Sequence, residues 1–515
     1  MMPGGVFFSR GNNAWYDPSF YTLVLLLIAG RLFLSSYTGY VQDDAFITYR
    51  YARNLSQGDG FTYNKDEHVQ GTSTPLYVLM LAGCASVFGS AALPQCSRAL
   101  ALLSDIASFA VLWRLLAGLK GGARFLACSF IALYPKVVLI GISGMEASFV
   151  VMLMLVSFYA LFESDRPHIS LVAFAALLLT RIDGVIWTSV ALWFALRKGI
   201  PGVRLVALGS LAVLASWMIF SEAYFDNPIP YSIIAKSVSF FPFYPWFDPI
   251  RVLVGYFPFE GLRGYPDLVR VIAAVAFVIP AIMALVHCLR YRSNLVVFPL
   301  FFVVYNVALS FERTVMTDWY YLPGYVSYAV CIGLLVDRWK AKVEILSGSS
   351  ARGRAVRTAV LVSLCALLYV GAVRWRDNPA GLNRDQHIPL GNWLKDHANP
   401  NAHILLEPIG YIGWLSDLYV QDYIGLVTPQ VIGIRRAHPT SDGWFMDFVK
   451  MKQPEFIVLR NWEVPSNRLF LGFGDGMFKD VEEKKWFEEH YHLVWSPSSE
   501  KSNNDVLVLY QLRSS

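Results

Sequence analysis

Two adjacent carboxylates, Asp43 and Asp44, are the residues of this sequence best placed to do chemistry. They open segment 41–55, which has the pattern of an amphipathic helix. Neighbouring carboxylates can take a proton from a hydroxyl as a general base, or can help to hold a divalent cation. They also favour the start of a helix, where they complement the positive end of the helix dipole. The spacing alone leaves these three interpretations open.

Basic residues follow the acid pair at helical spacing. Asp43, Arg50 and Asn54 share one face of the predicted helix. The pattern therefore predicts a helix that lies at an interface with its charges exposed. The rise of a helix would then place a carboxylate and a guanidinium about 10 Å apart on that face.

Single ionisable residues elsewhere are weaker candidates. Glu146 has no basic partner in its own loop, and a solvated helix N-terminus explains it as well as a functional site does. Lys236 follows Tyr231 in an aromatic stretch, where it could hold a phosphate or extend towards lipid headgroups. Arg313 lies near Tyr320 and Tyr321, and interfacial aromatic residues of this kind usually form a belt.

The composition places these residues in a membrane protein. Of 515 residues, 55% are hydrophobic and only 16% are charged, an apolar excess that one soluble domain would not need. The excess is concentrated in uncharged runs of about 17–23 residues, the length with which a helix crosses about 30 Å of hydrocarbon. The sequence predicts about eleven spans, at 20–38, 97–118, 123–140, 147–163, 169–180, 184–197, 205–222, 268–290, 294–311, 319–336 and 357–374.

Segment 75–93 decides the predicted topology. It is apolar, but it stands between a polar loop and Pro94 just before another span. If it lies along the membrane surface, the strongly basic loops of the later spans all fall on one side, which the positive-inside rule makes cytoplasmic. The long loops 39–96 and 223–267 and the polar tail are then expected on the outer face.

The polar tail has the pattern of a small α/β domain. Strand-like runs lie at 403–406, 456–459 and 505–510. They alternate with helical patterns at 385–397, 441–452 and 479–490. We therefore expect a membrane domain over residues 1–375 and a soluble domain over residues 376–515.

Charge and motifs exclude several other classes of protein. The balance of 43 Lys and Arg against 38 Asp and Glu is too even for a nucleic-acid-binding surface. There is no Walker loop, GxGxxG or HExxH motif. The six cysteines lie almost entirely in apolar runs without a CxxC pair, so we expect free thiols.

The segment DDAFITYRYARNLSQGDGFTYNKDEHVQGTSTPLY, at 43–77, resembles the first outer loop of the GT-C superfamily of membrane glycosyltransferases. The nearest group is the mycobacterial arabinofuranosyltransferase B type. Further matching stretches follow in order: SGMEAS at 143–148, LTRIDG at 179–184, YFDNPIPYSIIAK at 224–236, DWYYLP at 318–323 and EPIGYIGWLSDLYVQDYIGLVTP at 407–429.

This resemblance implies a GT-C-like helical membrane domain with interfacial helices in the first outer loop. It also implies a polyprenyl-phosphate sugar donor and an inverting, single-displacement transfer to an acceptor hydroxyl. Asp43 would be the base, Asp44 would support it or hold a metal, and Glu146 would be the second acid. The residues implied in donor binding are Lys236, Arg50, Arg53, Arg181, Asp183, Tyr231 and Arg313.

The resemblance makes arabinofuranose the first choice of sugar, with a glycan, lipid or protein as acceptor. No cofactor is certain, although a divalent cation could take part. We expect a bacterial inner membrane with the tail in the periplasm, and an ER membrane with a lumenal tail obeys the same charge rule. The competing class is a transporter or flippase of a lipid-linked glycan. It would need a polar path through the spans, and these carry few charges besides Asp105, Arg114 and Lys136.

Overall fold

The computed structural model describes residues 15–238, 245–258, 266–312, 316–338, 351–438, 443–464, 477–497 and 506–513. The chain divides into two compact units. The first comprises Met1–Gly39, Gln95–Ala215 and Trp246–Arg376, and the second comprises Tyr40–Pro94, Ser216–Pro245 and Asp377–Ser515. Much of the two long loops and the whole tail, which the sequence predicts on one face, thus belong to one unit.

Sixteen α-helices precede the tail within the described residues. The first eight are α1 (Pro18–Thr38), α2 (Asp43–Gln57), α3 (Pro75–Phe88), α4 (Leu93–Leu115), α5 (Gly121–Leu133), α6 (Pro135–Ile142), α7 (Ala147–Phe162) and α8 (Pro167–Thr180). The next eight are α9 (Gly184–Lys198), α10 (Val203–Phe225), α11 (Tyr231–Val238), α12 (Pro249–Val254), α13 (Asp267–Arg290), α14 (Val297–Leu309), α15 (Leu322–Arg338) and α16 (Ala351–Asp377).

Each predicted span coincides with a helix or, at 123–140, with the pair α5 and α6. Among the described residues, six helices are long and apolar enough to cross a membrane, and this pair, bent by 47°, would be a seventh. The bend follows from sequence, because Pro135 holds Tyr134 in an extended conformation between the two helices. Other predicted spans, α7 and α8 among them, are shorter apolar helices. The predicted helices are therefore confirmed, while their lengths support six or seven full crossings.

Contacts within the first unit agree with the prediction that the basic loops lie on one side of the membrane. The Lys198 ammonium donates hydrogen bonds to the Arg292 carbonyl and the Asn294 side chain, both at 2.8 Å. The backbone N–H of Lys120 donates to Asp337 at 2.7 Å. These residues lie in or beside the basic loops that the charge rule assigns to the cytoplasm, so each contact joins loops expected on the same face.

A buried ion pair joins two apolar helices of the first unit. Arg31 of α1 bonds to Asp105 of α4, and its guanidinium also donates to the Ala132 carbonyl at 3.0 Å. The two side chains are 3% and 8% exposed. Gly141 makes room for the pair, because a Cβ there would lie 2.7 Å from the Asp105 carboxylate. The mid-span charge of Asp105 is therefore matched by an arginine that the sequence analysis did not single out.

The length of helix α3 agrees with the prediction that segment 75–93 lies along the membrane surface. It has 14 residues and thus a length of about 21 Å, too short for about 30 Å of hydrocarbon. Pro75 is its first residue, and the hydroxyls of Thr72 and Thr74 in the preceding turn lie 3.0 Å apart. The helix belongs to the second unit together with α2.

The tail folds around a five-stranded mixed sheet, which confirms the predicted α/β class. Its elements are α17 (Ile388–His397), β1 (His403–Leu406), α18 (Tyr411–Ser416), β2 (Tyr419–Asp422), α19 (Pro429–Ala437), α20 (Trp444–Lys452), β3 (Phe456–Arg460), α21 (Val481–His490), β4 (Tyr491–Trp495) and β5 (Leu507–Leu512). The strand order is β2-β1-β3-β5-β4, with β1 parallel to β2 and β3, and with β5 antiparallel to β3 and β4. The sequence analysis found β1, β3 and β5 and missed β2 and β4.

Apolar side chains from both helices and strands form the core of the tail. The side chains of Phe445 and Phe448 on α20 and of Ile457 and Leu459 on β3 are almost completely buried in one hydrophobic cluster. Phe487 of α21 packs into the same cluster. The core therefore fixes the sheet, and the loops at the ends of β1 and β2 are carried on a rigid support.

All six cysteines are free thiols, as the sequence predicts. Cys128, Cys288 and Cys331 are buried, and the other three are at least partly exposed.

Candidate functional site

The carboxylate of Asp43 is held by the tail domain. Asp43 is the first residue of α2, and the residue before it, Gln42, makes no capping bond with its side chain. The two oxygens of Asp43 accept hydrogen bonds from the backbone N–H groups of Gly410 at 3.0 Å and Tyr411 at 2.8 Å. Asp43 therefore caps α18 of the tail, which begins at Tyr411, as well as opening its own helix.

The surroundings of Asp43 favour a proton acceptor near neutral pH. Burial raises the pKa of its carboxyl to about 6, and the negative charge of Glu407 acts in the same direction. The two N–H donors and the positive charge of Arg460 oppose this shift without cancelling it. A general base works best when its pKa lies near the working pH, and Asp43 meets this condition.

His387 is a second titratable side chain beside this carboxylate. Its Nδ1 lies 3.8 Å from the Asp43 carboxylate and 3.0 Å from the Asn383 side-chain oxygen. Asn383 in turn donates to the Val41 carbonyl at 2.8 Å. Residues 383–387 form a π-helical turn before α17, and no pattern in the sequence pointed to it.

Arg50 is buried, contrary to the predicted exposed face of α2. Its guanidinium donates to three backbone carbonyls, those of Tyr63 at 2.9 Å, Gly413 at 2.7 Å and Leu418 at 2.8 Å. Asn54, on the same face, is also buried and donates to the Tyr63 carbonyl at 3.0 Å. The prediction of an exposed polar face was wrong because periodicity shows which residues share a face but not what covers it. In this structure Arg50 fastens α2 to the tail.

Arg53 lies at the edge of the same contact. Its guanidinium bonds to the carboxylate of Asp417 and stacks 4.7 Å from the centre of the Trp414 ring. The side chain of Asp417 is 55% exposed, so this pair is accessible to solvent. Asp44 follows Asp43 in the first turn of α2 and is partly exposed.

Two further predicted donor-binding residues lie on α11 of the second unit. Tyr231 begins this helix, and its backbone N–H donates to the Gln70 carbonyl at 2.8 Å. Lys236 lies in the last turn and is partly exposed. The predicted residue Arg313 lies outside the described residues.

The first unit brings together three other predicted residues. Arg181 donates to Glu146 at 2.9 Å, and its guanidinium forms a two-bond fork with Asp183 at 2.8 and 2.9 Å. Arg181 stands in an extended conformation after α8, and Asp183 precedes α9, so the predicted polar turn between two short helices is confirmed. One guanidinium faces two carboxylates, and the Oε2 atom of Glu146 is buried without a hydrogen-bond partner among the described residues. The cluster thus has an acceptor atom to spare.

Two tyrosines complete this cluster. The Tyr305 hydroxyl lies 3.0 Å from Asp183 and 2.9 Å from the Tyr320 carbonyl, and the Arg181 guanidinium stacks 4.4 Å from the centre of the Tyr320 ring. The sequence analysis treated Tyr320 as a belt residue and did not single out Tyr305. The sequence signal that could have pointed to Tyr305 was its position beside Asn306 inside an otherwise apolar helix.

A separate charged contact in the first unit was also missed. The Lys136 ammonium bonds to Asp318 at 2.8 Å and to the Gly255 carbonyl at 2.9 Å. It also lies 5.6 Å from the centre of the Tyr321 ring. Both Asp318 and Tyr321 belong to the DWYYLP motif, so this motif has a partner on α6.

No group of three or more acidic, histidine or cysteine side chains within the described ranges has the arrangement of a metal site.

The family comparison covers only the tail. Residues 375–510 match a domain of unknown function, DUF8728. No curated protein matches the sequence significantly.

Solved structures match nearly the whole chain. ArnT from Cupriavidus metallidurans in the apo state aligns with a TM-score of 0.56 and 12% identity, over 95% of this chain and 98% of that one. The oligosaccharyltransferase AglB from Archaeoglobus fulgidus, solved with an inhibitory peptide and a dolichol-phosphate, aligns with a TM-score of 0.55 and 13% identity, over 93% and 80%. Mycobacterial arabinofuranosyltransferase AftD aligns with a TM-score of 0.51 and 15% identity, over 96% of this chain and 40% of that one.

These three structures belong to one superfamily, that of the GT-C glycosyltransferases. AglB is named as an oligosaccharyltransferase and AftD as an arabinofuranosyltransferase, so the matching structures do not share one named activity. The agreement in fold extends over more than nine-tenths of this chain in each case. The chain therefore shares the fold of these three solved structures.

Proposed function

We propose that this chain is an inverting glycosyltransferase that moves a sugar from a polyprenyl-phosphate donor to an acceptor hydroxyl at the outer face of a bacterial plasma membrane. The observation that carries the proposal is the fixed carboxylate of Asp43 within a GT-C fold. It combines a pKa of about 6 with two oxygens oriented by backbone N–H groups. An oriented carboxylate of this basicity is the group that such a transfer needs.

In the proposed reaction the acceptor oxygen attacks the anomeric carbon while its proton passes to the Asp43 carboxylate. The bond from the anomeric carbon to the phosphate oxygen breaks, and its electron pair leaves with the polyprenyl phosphate. One displacement inverts the anomeric centre. Asp44 lies beside the base and would support it.

The leaving phosphate gains negative charge as its bond to the sugar breaks. Basic groups directed at it therefore stabilise the transition state more than the bound donor. Lys236, Arg53 and Arg313 are the proposed candidates, with Tyr231 beside Lys236. Arg50 was predicted for the same role, but its three carbonyl contacts favour a structural part for it.

Glu146, Arg181 and Asp183 are the proposed candidates for contacts with the sugar. Glu146 offers a buried oxygen that no hydrogen-bond donor in the described part of the chain satisfies, and Arg181 holds both Glu146 and Asp183 in place. A sugar hydroxyl could donate to this oxygen and so satisfy it. Arabinofuranose is our first choice of sugar, on the strength of the loop motifs, since the matching structures differ in what they transfer.

The proposal is tested with purified protein in nanodiscs and a panel of polyprenyl-phosphate sugars. Release of polyprenyl phosphate, with product of inverted anomeric configuration, supports the enzyme and identifies the sugar. Movement of the donor lipid between leaflets without cleavage would contradict the proposal and support the transporter class. The pairing of Arg31 with Asp105 favours the enzyme, because a permeation path needs accessible charges and this pair is buried.

A further inference from the structure

The backbone of Gly410, in the tail domain, lies so close to Asp43 that a residue with a side chain would not fit at this position. A Cβ placed on Gly410 would lie 1.9 Å from the carbonyl oxygen of Asp43 and 2.6 Å from its Cγ. The backbone of Gly410 has a φ of −66°, which any residue can adopt. Glycine is thus needed here for close approach, and its conformational freedom is not the reason.

Other contacts hold this part of the tail against the first outer loop. The Tyr63 hydroxyl donates to the Ile409 carbonyl at 2.6 Å, just before α18. Arg50 donates to Gly413 within α18 and to Leu418 after it. The Tyr411 ring packs on Phe46 of α2, with the ring centres 3.9 Å apart. Helix α18 is therefore fixed at its start, middle and end.

We propose that the tail domain is a working part of the active site, in which Gly410 is a positioning residue. Together with the N–H of Tyr411, it orients the Asp43 carboxylate towards the acceptor hydroxyl. The idea rests on the proposed function, since Asp43 acts as a base only if the chain transfers a sugar. It gives a role to the tail, whose matching family is described as a domain of unknown function.

The geometry leaves Asp43 free to react. Each carboxylate oxygen accepts one N–H bond, and each therefore keeps a lone pair for the acceptor hydroxyl. Orientation matters because a displacement of about 1 Å at a reacting group can cost roughly 10²-fold in rate. A tail that only braced the outer face could make the same cap, so the test of positioning is the rate of transfer.

Hydrogen exchange tests the contact without relying on activity. The full-length protein in nanodiscs is compared as wild type, Asp43→Ala and Asp59→Ala, the last being a surface acid of the same loop paired with Lys65. We expect amides of segment 409–412 to exchange roughly tenfold faster or more in Asp43→Ala only, because a bond to a charged acceptor is lost. Exchange at 456–460 should stay unchanged, as a reference for the folded tail. Equal exchange at 409–412 in all three proteins would overturn the proposal.

Transfer kinetics test the positioning role. Gly410→Ala is compared with Gly433→Ala, an exposed glycine of α19 whose added Cβ would meet nothing within 4 Å. We expect kcat of Gly410→Ala to fall by about 10²-fold with an unchanged donor KM. The acid limb of its pH profile should also move to higher pH, because loss of the N–H donors raises the pKa of Asp43. Gly433→Ala should behave as wild type.

The outcomes separate the two proposals. Wild-type kcat in Gly410→Ala would overturn the positioning role, and so would a change in donor KM alone. If Gly410→Ala does not fold, the exchange experiment decides. A wild-type protein that consumes no donor when its acceptor is supplied refutes the proposed function and, with it, the positioning role, whereas unchanged exchange refutes the positioning role alone.

Discussion

The carboxylate of Asp43 accepts a hydrogen bond from the backbone N–H of Tyr411 over 2.8 Å, although 368 positions separate the two residues in the chain. This contact joins the first outer loop to the tail. It makes the chemistry of the acid pair depend on a domain that begins more than 300 residues later.

The pH dependence of transfer should report Asp43. The carboxylate must be ionised to accept a proton, so activity should fall as the pH drops through about 6, the raised pKa of this group. An unperturbed aspartate would lose activity only near pH 4. The measurement is kcat/KM for the donor between pH 4.5 and 8, and an acid limb near pH 4 would contradict the role of burial at Asp43.

Arg181 should matter more for stability than Glu146. Arg181→Ala leaves two buried carboxylates without their partner, and breaking such a cluster costs about 3–5 kcal/mol. Glu146→Gln keeps an oxygen that can accept from Arg181, so it should cost much less. Thermal unfolding in detergent compares the two variants, and equal loss would show that the arginine does not hold the cluster together.

The buried pair of Arg31 and Asp105 should be strongly coupled. Arg31→Leu leaves Asp105 unpaired among apolar helices and should destabilise the protein by about 3–5 kcal/mol. The double variant Arg31→Leu, Asp105→Leu should recover much of this loss, because no isolated charge remains. Unfolding measurements on both single variants and the double variant give the coupling. Additive losses would contradict the pairing.

Loss of the proton from Glu463 should make the tail less stable as the pH rises. It is 4% exposed, and burial raises the pKa of its carboxyl from 4.5 to about 7. Its contribution to stability is therefore complete below about pH 4.5 and is lost as the pH rises through about 7, an effect on the order of 3 kcal/mol. Asp43 and Asp422, whose pKa values are also raised to about 6, act in the same direction.

The comparison of wild type with Glu463→Gln isolates this effect. Hydrogen-exchange protection of β3, corrected for the intrinsic rate, should fall between pH 5 and 8 in wild type and fall less in the variant. Identical pH dependence in the two proteins would show that Glu463 titrates near its ordinary value.

Much of the fold could be predicted from the sequence because its signals are local. Uncharged apolar runs predicted the helices, and strand-like runs predicted three of the five strands. Strand β2, Tyr419–Asp422, was missed because it has four residues, of which two are polar. Its pairing with β1 depends on the rest of the sheet.

The candidate site was predicted only in part. The types of residue at positions 43, 146, 181 and 183 were informative, and the contact of Arg181 with Glu146 agrees with loops placed on the same side. The burial of Arg50 and the N–H groups of Gly410 and Tyr411 could not be predicted. They depend on the approach of segments more than 300 residues apart, and no periodicity reports such a contact.

Release of polyprenyl phosphate by wild type, Asp43→Asn and Asp59→Asn tests the central claim most directly. The three proteins are compared in nanodiscs with the donor that wild type consumes and with its acceptor. Asn keeps the size of the side chain but cannot take the proton, so we expect Asp43→Asn to lose about 10²–10⁴-fold of the rate. Asp59→Asn should retain the wild-type rate. Turnover by Asp43→Asn at the wild-type rate would contradict the assignment of Asp43 as the base.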